Sequence, residues 1–290
     1  MSTLTDVRPS PIAGQWYAGQ PERLATEVDR YLEQATLPAL NGDVVAVVAP
    51  HAGHRYSGPV AGYAFAAVRG LRPDLVAVVS PMHHPYPAPL LTTSHRAYAT
   101  PLGEIPVDRQ AVNELDEALR LHGIAAGLTP VARDPEHSLE IELPFLQRAL
   151  AADFRLLPVM VRAQDAALAE ALGLALADVL GKRNALLVAS TDLSHFYSQE
   201  TAEQLDAEML RQIEAFSPEG MFEAERTGKG FACGLAATAA VLWAARNLGA
   251  DTVKIVRYAT SGDVTGDFSS VVGYGAAVIL KTQNKRGGTQ

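Results

Sequence analysis

Three apolar, β-branched segments of this 290-residue chain each lead into a turn that carries histidine. The segments and the residues that follow them are 43–49 before His51, 75–80 before His83 and His84, and 185–189 before Asp192 and His195. Continuous runs of this kind are typical of strands buried in a parallel sheet. Ligands gather outside the carboxyl ends of such strands, so the three turns are predicted to open into one crevice.

Helical periodicity alternates with these strands along the whole chain, which favours one α/β domain over residues 1–290. We expect a largely parallel or mixed central sheet with helices on both faces, an N-terminal arm at 1–12, and a tail without regular structure at 283–290. The spacing predicts helices at 21–35, 58–68, 108–121, 138–150, 166–180, 202–214 and 235–247, with further strands at 154–161, 253–259 and 271–280. Residues 81–96, rich in Pro and Thr, are predicted to form a long loop over the strand ends.

Composition excludes several classes of protein. A net charge of −8 argues against a nucleic-acid partner, which would need clustered Lys and Arg. The chain has no apolar segment long enough to span a membrane and begins with nothing like a signal peptide. Its single cysteine, Cys233, excludes an internal disulfide. These features predict a cytoplasmic protein with a free thiol.

The first two histidine turns share the order strand, proline, histidine. Pro50 and Gly53 allow the chain to turn tightly around His51. Neighbouring residues in extended backbone point in opposite directions, so we expect either His83 or His84, and not both, to face the crevice. A single loop histidine more often bonds only backbone, but repetition of the pattern favours a metal or proton-transfer site.

The third turn and the cysteine leave several roles open. Asp192 is expected to bind a metal, to orient a histidine or to cap the turn by accepting backbone N–H groups. His195, if it binds no metal, suits proton transfer. Cys233 precedes an alanine-rich helix whose N-terminus favours the thiolate, although a lone cysteine beside alanines is more often a small buried apolar residue.

A further polar segment spans residues 134–145. His137 and Glu140 are spaced three apart, so on a helix they share one face and are able to line a cleft. Glu140 and Glu142 are equally explained as acidic residues near the positive end of a helix.

These pieces together resemble the MEMO family, the B component of the AmmeMemoRadiSam group, over nearly the whole chain. The motifs that carry the resemblance stand in order at 14–17, 49–58, 80–84, 136–144, 190–195 and 233–234. The family is similar in fold to the class III extradiol dioxygenases, which are non-haem iron enzymes. The resemblance also implies AMMECR-type and radical SAM companion proteins.

The resemblance implies a metal pocket with His51, His83 and Cys233 as ligands, and with Asp192 and His195 as catalytic residues beside it. Fe(II) is the first expectation for the metal, copper the alternative, and zinc the redox-silent option. The residues expected to contact substrate are Trp16, His54, Tyr56, His84, His137 and Glu140. Met82 and His54 depart from the residues usual in the family and alter the pocket lining.

The leading hypothesis is a metal-dependent, dioxygenase-like oxidoreductase acting on a small molecule or a peptide. One alternative is a non-catalytic scaffold that binds a peptide, a phosphopeptide or a metal in the same cleft. Another is a zinc hydrolase with His195 as base, which lacks the support of an HExxH motif in this sequence.

Overall fold

A mixed β-sheet forms the centre of the computed structural model, which describes residues 6–132 and 134–282. The strands are β1 (Val7–Arg8), β2 (Asp43–Ala49), β3 (Leu75–Pro81), β4 (Leu90–Thr93), β5 (Ala97–Thr100), β6 (Gly103–Pro106), β7 (Thr129–Val131), β8 (Arg155–Val161), β9 (Ala185–Ser190), β10 (His195–Tyr197), β11 (Thr252–Thr260) and β12 (Val271–Lys281). The predicted tail at 283–290 and the first five residues of the predicted arm lie outside the described residues.

Helices surround the sheet. They are α1 (Pro21–Gln34), α2 (His54–Ala66), α3 (Arg109–Leu121), α4 (Leu143–Ala149), α5 (Ala166–Leu180), α6 (Gln199–Glu214), α7 (Pro218–Arg226), α8 (Leu235–Asn247) and α9 (Gly262–Thr265), with a 3₁₀ turn at Glu140–Glu142. None of the helices in the described part of the chain is long and apolar enough to cross a membrane.

The described strands of the main sheet lie in the order β10-β12-β2-β9-β3-β8-β4-β7, and β11 pairs with the outer side of β12. Strands β2, β9, β3 and β8 are parallel, whereas β12 is antiparallel to β2 and β4 is antiparallel to β8. Strands β1, β5 and β6 form a separate small sheet. The predicted α/β fold with a mixed sheet is confirmed.

Small residues allow the helices to pack close to the sheet and to each other. Residues Leu235–Ala245 of α8 are all buried, and this helix packs against α5, β3 and β9. Gly173 of α5 faces Trp243, where an added Cβ would lie 2.5 Å from the Trp243 Cβ. The alanine-rich composition of α8 is therefore explained by packing on two sides.

Several boundaries differ from the sequence prediction. Helix α2 begins at His54, four residues before the predicted start at 58, with Pro59 inside the helix. The predicted loop at 81–96 contains the buried strand β4. The short strands β5, β6 and β7 were not predicted, because segments of three or four residues carry too little periodicity to be distinguished from loops. Helix α7, which is nine residues long, was not predicted either.

Candidate metal centre

The carboxyl ends of β2, β9 and β3 meet at one edge of the sheet, as the sequence predicted. Strand β9 lies between β2 and β3, and Ala49 is the register partner of Ser190. The chain leaves β2 towards His51 and leaves β3 towards His83, so both imidazoles reach the same crevice.

Three imidazoles form a cluster in this crevice. One potential ligand atom from each of His51, His83 and His137 lies within 4.8 Å of the other two. The rings of His83 and His137 are stacked with centroids 4.9 Å apart, and the His51 ring stands edge-on to both at 5.2 and 5.6 Å. His51 is fully buried whereas the His83 side chain is 35% exposed, so the cluster is open to solvent on the His83 side.

A buried carboxylate, Glu136, holds two of the three histidines. Its Oε1 accepts hydrogen bonds from His83 Nδ1 at 2.9 Å and from the backbone N–H groups of His137 and Ser138 at 3.0 Å, while Oε2 accepts from the backbone N–H of His83 at 2.6 Å. Because the carboxylate can only accept, His83 carries its proton on Nδ1, which leaves Nε2 free. Burial by itself would raise the pKa of Glu136, but the hydrogen bond from His83 and the charge of that residue outweigh burial. The net result is a pKa well below its usual range.

Polar residues of β9 and the turn after it hold His51. Its Nδ1 lies 2.9 Å from Ser190 Oγ, and its backbone N–H donates to Asp192 Oδ1 at 2.7 Å. Burial lowers the pKa of His51 strongly, and the neighbouring imidazoles of His83 and His137 lower it further. His51 is therefore a neutral imidazole, the form that binds metals.

Cys233 lies directly against His51. Its Sγ is 3.1 Å from His51 Nε2 and accepts the backbone N–H of Asp192 at 3.2 Å. Gly234 caps α8 behind the thiol, where an added Cβ would lie 2.8 Å from Thr191 Cβ. The expectation that the helix N-terminus favours the thiolate is corrected here, because burial and the charge of Asp192 raise the pKa of Cys233. Without a metal the group is a thiol.

Asp192 and His195 both lie beside the histidine cluster, but their hydrogen bonds differ. Asp192 caps the turn by accepting the His51 N–H, one of its three predicted roles, and burial raises its pKa to about 7. His195 Nδ1 is buried without a hydrogen-bond partner among the described residues, so Asp192 does not orient the ring through that nitrogen. Burial and the nearby charge of His83 lower the pKa of His195.

The predicted substrate-contacting residues divide into two groups. Trp16 lies against the His137 ring at 4.1 Å between centroids, and both Trp16 and Tyr56 are exposed, as is His84. His54 and Glu140 are instead buried in the protein interior.

The contacts of the two buried residues lie within the fold. His54 donates from Nε2 to the Ile141 carbonyl at 3.0 Å and packs against Phe145. Glu140 pairs with Arg8 and accepts a hydrogen bond from Tyr17. Neither Glu140 nor Glu142 is a surface acid at a helix start, because both are completely buried in the 3₁₀ turn.

Four residues that support the site were not predicted from the sequence to do so: Arg8, Glu136, Ser190 and Glu142. Arg8 bonds the Asp134 carboxylate at 2.8 Å and the Glu136 carbonyl at 2.7 Å, and so fixes the segment that carries Glu136 and His137. The Glu-His pair at 136–137 was a signal for one of them, since metal-binding histidines usually have a carboxylate partner.

Comparison with known proteins gives one consistent result. The sequence model of a family described as Memo-like protein matches residues 8–278. A MEMO1 family protein of Nitrosopumilus maritimus is 33% identical over 278 residues, covering 94% of this chain and all of the relative. MEMO1 family proteins of Methanopyrus kandleri and Thermotoga neapolitana are 35% and 34% identical, each covering 94% of this chain and 99% of the relative.

Proposed function

This chain belongs to the Memo-like protein family, and from that premise we propose that it is a metal-dependent oxidoreductase with a non-haem iron centre at the histidine cluster. The observation that carries the proposal is the meeting of His51, His83 and His137 within 4.8 Å of one another, with the Cys233 thiol 3.1 Å from His51. We propose His51, His83 and Cys233 as the ligands, with His137 as a further nitrogen donor in the same group.

The donor set suits a transition metal. His83 donates its Nδ1 proton to Glu136, and His51 contacts Ser190 through Nδ1, so the Nε2 atoms of both rings are available. Such partners fix the tautomer of a metal-binding imidazole. Imidazoles suit iron, copper and zinc, and a thiolate draws the preference towards copper or zinc. The resemblance to iron dioxygenases that the sequence motifs imply favours Fe(II), with copper second.

Bound iron would supply redox chemistry towards oxygen and an organic substrate. Residues of the chain would transfer the proton and orient the substrate. His195, half-buried with an unpartnered Nδ1, is placed to accept or return a proton beside the cluster. Trp16 presents an exposed aromatic face against His137, and Tyr56 is exposed in the first turn of α2, five residues after His51 in the sequence; both would orient a substrate that contains a ring or a peptide.

Metal binding tests the site directly. Elemental analysis after loading with Fe(II) under anaerobic conditions should give one metal per chain in the wild type and much less in His51→Ala and Cys233→Ser. The matched control is His122→Ala, which removes an imidazole that pairs with Asp178 elsewhere on the molecule. Wild-type metal content in His51→Ala would exclude the proposed centre.

Oxygen consumption separates an enzyme from a binding protein. The Fe(II)-loaded protein is assayed with catechols and with peptides, and turnover that disappears in His51→Ala supports the oxidoreductase. The exposed aromatic residues Trp16 and Tyr56 also suit a scaffold that binds peptides without chemistry. Saturable peptide binding by the iron-loaded protein without oxygen uptake would favour that second function.

A further inference from the structure

The hydroxyl of Ser190 has three polar neighbours but only one proton to donate in a hydrogen bond. Ser190 Oγ lies 2.9 Å from His51 Nδ1, 2.7 Å from the Ser138 carbonyl oxygen and 2.7 Å from Glu142 Oε1. All four residues are at most 1% exposed. Every one of the three contacts must therefore be an attractive hydrogen bond or an uncompensated repulsion between buried polar atoms.

Counting protons decides between these cases. The Ser138 carbonyl can only accept, so Ser190 must donate its proton to it if that contact is attractive. Ser190 then has only lone pairs for its other two neighbours. His51 must donate from Nδ1, and Glu142 must donate from Oε1. A carboxylate at Glu142 would take the Ser190 proton and leave two oxygens, those of Ser190 and Ser138, facing each other at 2.7 Å without hydrogen.

The other oxygen of Glu142 gives an independent indication. Glu142 Oε2 is buried and has no hydrogen-bond partner among the described residues. Leaving one oxygen of an ionised carboxylate unpaired in the interior is far more costly than leaving the carbonyl oxygen of a neutral acid unpaired. Burial also raises the pKa of Glu142 well above its usual range, and the charge of Asp192 raises it further.

We infer that Glu142 is a neutral carboxylic acid that donates to Ser190, and that Ser190 in turn holds His51 with its proton on Nδ1 and its Nε2 lone pair directed into the cluster. Glu142 and Ser190 are positioning residues and do not themselves touch the metal. Their importance for metal binding rests on the proposed function, whereas the two protonation states follow from the contacts alone.

Infrared spectroscopy of the metal-free protein at pH 7 tests the state of Glu142. Subtracting the spectrum of Glu142→Gln from that of the wild type should reveal the carbonyl band of a carboxylic acid. The matched control is Glu140→Gln, two positions away in the same 3₁₀ turn, which should remove carboxylate bands because Glu140 pairs with Arg8. Loss of carboxylate bands in Glu142→Gln would overturn the inference. If Glu142→Gln does not fold, the Ser190→Ala variant provides a second test, because it removes the hydroxyl that Glu142 contacts. It should shift the carboxylic-acid band, and an unshifted band would overturn the inference.

Nitrogen NMR of the metal-free wild type tests the tautomer and needs no variant to fold. With ¹⁵N-labelled histidine, the His51 resonances should show a protonated Nδ1 and a bare Nε2. A protonated Nε2 would contradict the proton count. A protein that binds no iron but gives these signals would refute the proposed function and leave this inference standing. If both hold, Ser190→Ala should weaken metal binding about 10- to 100-fold.

Discussion

Replacing Glu136 by Gln should disturb both the stability of the fold and the metal site, because this carboxylate accepts four hydrogen bonds. The isosteric amide has only one accepting oxygen. If its NH₂ takes the place of Oε2, it faces the backbone N–H of His83, which now donates to Oε2 at 2.6 Å. One buried N–H left unpaired costs about 1–3 kcal/mol, and the remaining bonds lose the assistance of the negative charge. We expect the free energy of unfolding to fall by about 2–4 kcal/mol.

Urea denaturation of the metal-free protein measures that loss, and titration with Fe(II) measures the consequence for the site. A carboxylate that orients metal-binding histidines is typically worth about 10- to 100-fold in metal affinity. Glu117→Gln, on the exposed surface of α3, is the control and should change neither quantity. A Glu136→Gln protein with unfolding free energy within ~0.5 kcal/mol of wild type would refute the assignment of Glu136 as the anchor of His83 and His137.

The same replacement should change the acid side of the stability profile. The pKa of Glu136 is lowered in the folded protein, so its contribution is fully present above its unfolded value of 4.5 and is lost as the pH falls towards the folded value. The wild type should therefore lose stability below about pH 4.5 more steeply than Glu136→Gln. Parallel curves for the two proteins would contradict this linkage.

Three further predictions concern other residues in and around the site. Burial lowers the pKa of His54 from 6.5 to about 4, so the unfolded state binds the proton more readily. As the pH falls from 6.5 to 4, the free energy of unfolding should therefore fall by up to about 3 kcal/mol. Urea denaturation at a series of pH values should show a flatter profile for His54→Leu over this range, and an unchanged slope would contradict the prediction. Gly234→Ala should lower the free energy of unfolding by about 1–3 kcal/mol, because the new Cβ meets the backbone of β9. Gly230→Ala is the control and should cost less, since the nearest atoms to its added Cβ lie at 3.3 Å. Equal losses in the two variants would argue against tight packing behind Cys233. His195→Gln should reduce oxygen uptake about 100-fold or more while the iron content stays at the wild-type level, and a loss of iron would instead make His195 a ligand.

The position of the site was predictable because it depends on local patterns. The apolar runs before His51, His83 and Asp192 each specify a buried strand, and the rule for strand ends then places their turns together. The order of helices and strands followed from periodicity in the same way. Short elements such as β4 escaped because four residues do not establish a period.

The chemical state of the site was not predictable from local patterns. Cys233 was expected to be a thiolate on the basis of the helix that follows it, but burial beside Asp192 acts in the opposite direction. Glu142 appeared to be an acid at a helix start, whereas its partner Ser190 lies 48 positions along the chain. Such effects depend on what the tertiary fold brings together, and periodicity contains no information about that.

The strand order of the main sheet has a consequence for how the protein is synthesised. Strand β12, the last in the described chain, pairs with β2, the first strand of this sheet, and Cys233 comes late as well. A nascent chain on the ribosome therefore carries β2, with His51 two residues beyond its end, before the neighbouring strands β9 and β12 have been synthesised. The proposed centre can be completed only after Cys233 has been synthesised, so a product that terminates before this residue would hold its histidines without the thiol and leave an edge of β2 unpaired.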